Sequence, residues 1–160
     1  MHIKIFTTGG SIDKIYSTQA SDFVVGAPQI GTLLREANVN LSYEIVPLLQ
    51  KDSLHITADE RQMLVERVRD CPERHILITH GTDTMAASGQ ALRSVPDKVI
   101  VLTGAMQPAA FKAGDAALNA GVALAALQLL PPGVYIAMSG RVFRADGARK
   151  NPASDQFEPL

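Results

Sequence analysis

Five short runs of β-branched and aliphatic residues are separated by stretches of helical periodicity. This alternation constrains the fold more than any other feature. The runs are Ile3–Phe6, Leu41–Val46, His75–Thr79, Val99–Thr103 and Val134–Met138. Most are continuously apolar, the pattern of strands covered on both faces and hence of a parallel sheet. Between them, Ile30, Leu33, Leu34 and Ala37 fall at i, i+3, i+4 and i+7, the spacing of one buried helical face. Thr57 followed by Glu60 is a capping box, opening a helix through Asp70 that buries Leu64, Val65 and Val68. Two further helices are predicted, over Asp83–Leu92 and, rich in alanine, over Gly114–Leu130. The β-α-β-α order specifies an α/β fold: a doubly wound (Rossmann or flavodoxin-like), mainly parallel sheet with helices on both faces.

At 160 residues, with no repeat, linker or low-complexity stretch, the expectation is a single domain spanning 1–160. Fifteen Lys and Arg stand against sixteen Asp and Glu, and no basic block occurs. A nucleic-acid partner is therefore not expected. The most apolar segment, Ala116–Leu130, carries Asn119, Gly121 and Gln128 and stops at Pro131-Pro132. It is too short and interrupted to span about 30 Å of hydrocarbon, so no membrane partner is expected either. The first ten residues lack the apolar stretch of a signal peptide, and the single Cys71 has no partner for an internal disulfide. Both features predict a cytoplasmic protein.

Ligands of open α/β sheets bind beyond the C-terminal strand ends, and three of those ends carry hydroxyls and glycines. They read Thr7-Thr8-Gly9-Gly10-Ser11-Ile12-Asp13, Thr79-His80-Gly81-Thr82-Asp83-Thr84-Met85 and Thr103-Gly104-Ala105-Met106-Gln107. The glycine pair serves a tight strand exit and lets backbone N–H groups approach a ligand. Neither GxGxxG nor GxxxxGK[ST] occurs, which disfavours nucleotide binding. In the second string Thr82 or Asp83 suits a helix N-cap, and His80 reads as a packed histidine rather than a base. Lys150, after the last strand, is an ordinary solvated lysine unless it reaches a Thr–Asp pair, where it can exchange a proton with the hydroxyl.

In order and spacing, Thr8-Gly9-Gly10-Ser11-Ile12, His80-Gly81-Thr82-Asp83-Thr84-Met85 and Thr103-Gly104-Ala105-Met106 resemble the bacterial-type L-asparaginase (asparaginase/glutaminase) family. The likeness continues through Asp115, Asn119 and Asp146-Gly147 to Lys150. The resemblance implies hydrolysis of L-asparagine to L-aspartate and ammonia through a hydroxyl nucleophile and an acyl-enzyme, with no metal or organic cofactor. It puts the first nucleophile on Ser11 and the second threonine, its aspartate and the lysine on Thr82, Asp83 and Lys150. Substrate-binding positions fall on Gly10, Asp52, Ser53, Gly81, Thr82 and Asp83. Backbone N–H groups at the glycine turn or at the helix after Thr82 would stabilise the tetrahedral oxyanion, and Thr82, Asp83 and Lys150 would relay protons.

Three departures from the family pattern stand out. Ser11 replaces the usual threonine, keeping the hydroxyl but losing the β-methyl that restricts χ1. Phe23 falls where a mobile-loop tyrosine is usual, leaving Tyr16 as the nearest phenol and the candidate catalytic substitute, in a segment Asp13–Gly26 suited to a mobile lid. No second C-terminal domain is expected, a pattern resembling the short, cytoplasmic branch. A homo-oligomer, dimer or tetramer, is expected to complete the site. A glutaminase or related amidase is the enzymatic alternative, since one methylene changes discrimination by only about 1–3 kcal/mol. A catalytically weak amino-acid-binding domain is the alternative of another class.

Overall fold

The computed structural model describes residues 1–160. β1 (His2–Gly9) leads through one 3-10 turn into a hairpin of β2 (Lys14–Ser17) and β3 (Asp22–Val25), followed by α1 (Ile30–Glu36) and β4 (Ser42–Lys51). The alternation then repeats through α2 (Ala58–Asp70), β5 (His75–Thr79), α3 (Met85–Leu92), β6 (Val99–Thr103), α4 (Ala116–Leu129) and β7 (Gly133–Met138). Three short strands complete the series: β8 (Arg141–Arg144), β9 (Ala148–Asn151) and β10 (Gln156–Pro159).

The main sheet has the order β4-β1-β5-β6-β7-β8. Its first five strands are parallel and β8 pairs antiparallel with β7. Numbered by their succession in the sheet, the parallel strands read 2-1-3-4-5, the flavodoxin-like order. The chain changes direction across the sheet between β1 and β5, and such a switch point leaves a ligand crevice at its carboxyl end.

Side chains alternate between two apolar layers, as the continuous apolar runs require. Ile76, Ile78, Ile100 and Leu102 pack on Leu64, Val65 and Val68 of α2 and on Met85 and Leu92 of α3. Ile3, Ile5, Leu77 and Val101 point the other way, onto Ile30 and Leu34 of α1 and Ala123, Leu124 and Leu127 of α4. Each fully buried aliphatic contributes roughly 1.5–3 kcal/mol. The expected doubly wound sheet with helices on both faces is the observed one. The capping box is also present: Glu60 N–H donates to Thr57 Oγ1 at 3.2 Å and Thr57 N–H to Glu60 Oε2 at 2.9 Å.

The differences lie at the edges. The segment Asp13–Gly26 is a β-hairpin rather than a loop. The third predicted helix starts at Met85 instead of Asp83, because Thr84 turns its N–H and hydroxyl toward Ser53 (3.3 Å to Oγ and 3.0 Å to O). No helix is long and apolar enough to cross a membrane.

Candidate active site

The exits of β1 and β5 meet at the switch point with no side chain between them. Gly10 adopts φ +85°, and a Cβ there would overlap the Cα of Gly81. On Gly81 itself, a Cβ would come within 2.6 Å of Ser53 Cβ. The Gly10 backbone therefore lies on that of Gly81, and Gly81 lies on the Ser53 side chain, at a spacing that only glycine permits at the first two positions. This stack carries Ser11, which opens the 3-10 turn Ser11–Asp13, alongside Thr82. Gly10 N–H donates to Lys51 O at 2.9 Å and His80 N–H to Thr103 O at 2.9 Å, tying β4 and β6 to the same edge.

Lys150 arrives from far along the chain. It lies on β9, which pairs with β10 so that Lys150 stands opposite Phe157. Ala148 and Phe157 are buried in the layer under α2 and α3, and Phe157 N–H donates to Ser139 Oγ at 3.0 Å. So anchored, the Lys150 ammonium donates to Thr82 Oγ1 at 2.9 Å and to Asp83 Oδ1 at 2.8 Å. Thr82 is 7% exposed, whereas the Asp83 carboxylate opens to solvent with 43% of its side chain. A hydroxyl, an amine and a carboxylate are thus joined in one line from the crevice floor to its mouth. Once the lysine has given up a proton, such a line can take one from the hydroxyl, while the carboxylate holds the resulting charge.

The other predicted positions fall into two groups. Ser53, 1% exposed, is built into the site through Gly81 and Thr84. Asp52 instead caps the turn Ser53–His55, accepting Leu54 N–H at 2.9 Å, with Lys14 Nζ 4.0 Å away. Tyr16 lies on the hairpin, 57% exposed, directly opposite Phe23. Their rings meet edge to face at 5.6 Å, and Phe23 meets Phe111, from the segment after β6, at 5.4 Å. Asp115 and Asn119 support the β6 exit: the Asp115 carboxylate accepts Met106 N–H at 2.9 Å, and Asn119 Nδ2 donates to Gly104 O at 2.9 Å. Asp146 pairs with Arg93 at 3.2 Å, outside the Thr82–Asp83–Lys150 line.

Two buried titratable groups flank the crevice. His80 is fully buried, as a packed histidine should be, and desolvation lowers its pKa to about 4. Asp13, 1% exposed, was not among the residues singled out from sequence. Burial pushes its carboxyl up to about 7, against the smaller opposing pull of Gln29 N–H at 2.9 Å. Its backbone carbonyl accepts Gly26 N–H at 2.9 Å, so Asp13 ties both ends of the hairpin. Asp13 reads in sequence as an ordinary turn residue; in the fold its neighbour Ile12 is buried with Ala105 and Ala109, and Asp13 itself is out of water. One group with metal-ligand chemistry, His2, Glu44 and Glu73, lies at the opposite end of the sheet, where Lys4 already supplies a cation to both carboxylates.

The same arrangement of elements occurs in known proteins. The glutaminase-asparaginase of Acinetobacter glutaminasificans is 30% identical over 163 residues, covering 93% of this chain and 49% of that protein. The L-asparaginase of Thermococcus kodakarensis is 28% identical over 150 residues, covering 89% and 45%. Among solved structures, the thermostable L-asparaginase from Thermococcus kodakarensis superposes with a TM-score of 0.88 at 24% identity, covering 100% of this chain and 51% of that one. L-asparaginase I from Vibrio cholerae gives 0.81 at 25% identity, with 99% and 51% covered. The chain spans about half the length of the relatives it matches. The model of the asparaginase N-terminal domain matches residues 2–158, and with that span the chain belongs to the asparaginase family.

Proposed function

We propose that the chain hydrolyses the side-chain amide of L-asparagine, releasing ammonia and L-aspartate. The observation that carries this reading is the line Thr82–Lys150–Asp83, assembled from residues 67 and 68 positions apart beside the exit that bears Ser11. Ser11 Oγ attacks the amide carbon, and the tetrahedral intermediate expels ammonia after protonation of its nitrogen. The resulting β-aspartyl ester on Ser11 is hydrolysed by water, which returns the hydroxyl. Thr82 and Lys150 pass protons in these steps, and Asp83 neutralises the lysine and faces the substrate's α-amino group. Backbone N–H groups near Gly10 and Gly81 bind the oxyanion, and the Asp52–Ser53 segment contacts the α-amino and α-carboxylate groups. Tyr16, edge to face with Phe23, covers the crevice and supplies the phenol that Phe23 lacks.

We infer a cytoplasmic homo-oligomer, in keeping with the lone Cys71. A structural neighbour from Campylobacter jejuni, a probable cytoplasmic L-asparaginase, supports the location (TM-score 0.83, 24% identity). Ammonia release from L-asparagine and L-glutamine, each at millimolar concentration, tests the activity. Turnover of asparagine that disappears in Ser11→Ala supports it. Release from glutamine alone would favour the amidase reading, which the Acinetobacter relative's dual name motivates. No release from either, with aspartate still raising the melting temperature, would make the chain a binding domain.

A further inference from the structure

A hydrogen-bonded chain runs from the surface of α2 into the loop that carries Thr82. Arg61, half-buried on α2, donates from Nε to Ser88 Oγ at 3.1 Å. Ser88, fully buried one turn into α3, lies 2.8 Å from His80 Nε2. The opposite ring nitrogen, Nδ1, lies 2.7 Å from the carbonyl oxygen of Gly81.

Donor and acceptor chemistry orients every link. A guanidinium only donates, so Ser88 Oγ accepts from Arg61. A carbonyl only accepts, so Nδ1 of His80 carries a hydrogen. The remaining link closes in one of two ways: Ser88 O–H donates to a neutral ring, or an imidazolium N–H donates to Ser88. Burial disfavours the imidazolium, and the nearby Arg61 charge disfavours it further. The ring is therefore neutral and in its Nδ1–H form, the tautomer set by the other partner of each nitrogen.

The Gly81 carbonyl belongs to the peptide that enters Thr82. A peptide is planar, so holding its oxygen fixes the plane from which the Thr82 side chain departs. From the other side, Ser53 holds Thr84 and packs on Gly81. The loop is gripped on both flanks, and the grip on the His80 side begins at Arg61.

We propose that Arg61, acting through Ser88 and the Nδ1–H tautomer of His80, is a positioning residue that sets the Thr82 hydroxyl against Lys150. This role rests on the reading of Thr82 as part of the proton relay.

The test compares the full chain with Arg61→Met, Arg61→Lys and Ser88→Ala, by three readouts. Long-range proton–nitrogen correlation of the His80 ring reports the tautomer. Amide exchange reports the order of Thr82 and Asp83, and steady-state kinetics separates kcat from KM. In Arg61→Met the expected results are a mixed His80 tautomer, Thr82 exchange about tenfold faster, and kcat down about tenfold with KM changed less than about twofold. Arg61→Lys, which can still donate to Ser88, should restore all three. Ser88→Ala should behave like Arg61→Met, and it serves if that variant folds poorly. An unchanged tautomer in both Arg61→Met and Ser88→Ala overturns the proposal. So does a changed tautomer with unchanged Thr82 exchange. If the wild-type chain releases no ammonia, the asparaginase reading fails by itself, while the tautomer and exchange readouts still decide whether Arg61 orders the loop.

Discussion

The two strand exits that flank the switch point are held by opposite means. The β5 exit, His80 to Thr84, is gripped by hydrogen bonds from α3, β9 and the Ser53 turn, the α3 contact being backed by Arg61 of α2, and His80 and Thr82 are buried. The β1 exit passes Ser11 and then leaves the core as a hairpin whose Tyr16 and Phe23 are 57% and 42% exposed. That hairpin is held by Asp13 at its base, by Gln50 Nε2 donating to Val25 O at 3.1 Å, and by the Phe23–Phe111 edge contact. The groups proposed to pass protons sit where several elements converge. The segment suited to opening rests on few bonds and exposed rings, the low-stability end of a fold.

The largest effect separates the exits by chemistry. Lys150→Met should lower turnover at least about 10³-fold in the ammonia assay while leaving the melting temperature within a few degrees. Retention of a tenth of wild-type turnover would remove Lys150 from the relay.

Gly10→Ala should then break the seam between the exits. Its φ of +85° and the overlap with Gly81 predict a loss of about 2–4 kcal/mol in urea unfolding. A loss under about 0.5 kcal/mol would show that the two backbones can part.

The hairpin base has a pH signature of its own. The folded Asp13 carboxyl sits near 7, above its ordinary 3.8, so the folded state keeps a proton that the unfolded state has released. Stability therefore falls as pH rises from about 4 to about 7 on account of Asp13. His80 acts in the opposite sense: its folded value near 4 lies below the ordinary 6.5, so its contribution is lost as pH falls through that interval. Asp13→Asn, which can still accept from Gln29, should raise stability at pH 8 by roughly 2 kcal/mol and leave the His80 trend visible below pH 6.5. Thermal melts across pH 4–8 check this, and an unchanged profile would place Asp13 in water.

The smallest effect concerns the rings. Phe111→Ala should speed amide exchange over residues 14–25 about 2- to 10-fold, an edge-to-face pair being worth about 0.5–1.5 kcal/mol, with residues 76–84 unaffected. Equal acceleration in both segments would mean that the exits open together.

Much of this contrast is legible in the sequence on one side only. His75–Thr79 and Val99–Thr103 are found with their observed bounds because continuous β-branched runs have no other use in a chain of this pattern. The Thr57–Glu60 box identifies α2 from four residues. The β2–β3 and β9–β10 hairpins escape because four-residue strands with mostly exposed side chains carry no core-facing period. Phe111 and Arg61 look like surface residues, since neither has a partner within its own helix or turn that explains it.

By itself, then, the sequence determines the alternation of strands and helices, the two-faced apolar sheet, and the hydroxyl- and glycine-rich strand exits. These follow from period, capping and backbone freedom, which act over a few residues. Only the tertiary structure decides that Lys150 reaches Thr82 and Asp83, that Asp13 loses its water, and that Arg61 reaches Ser88 beside His80. Each depends on desolvation or on contact between residues 27 to 68 positions apart, and no local preference encodes those distances.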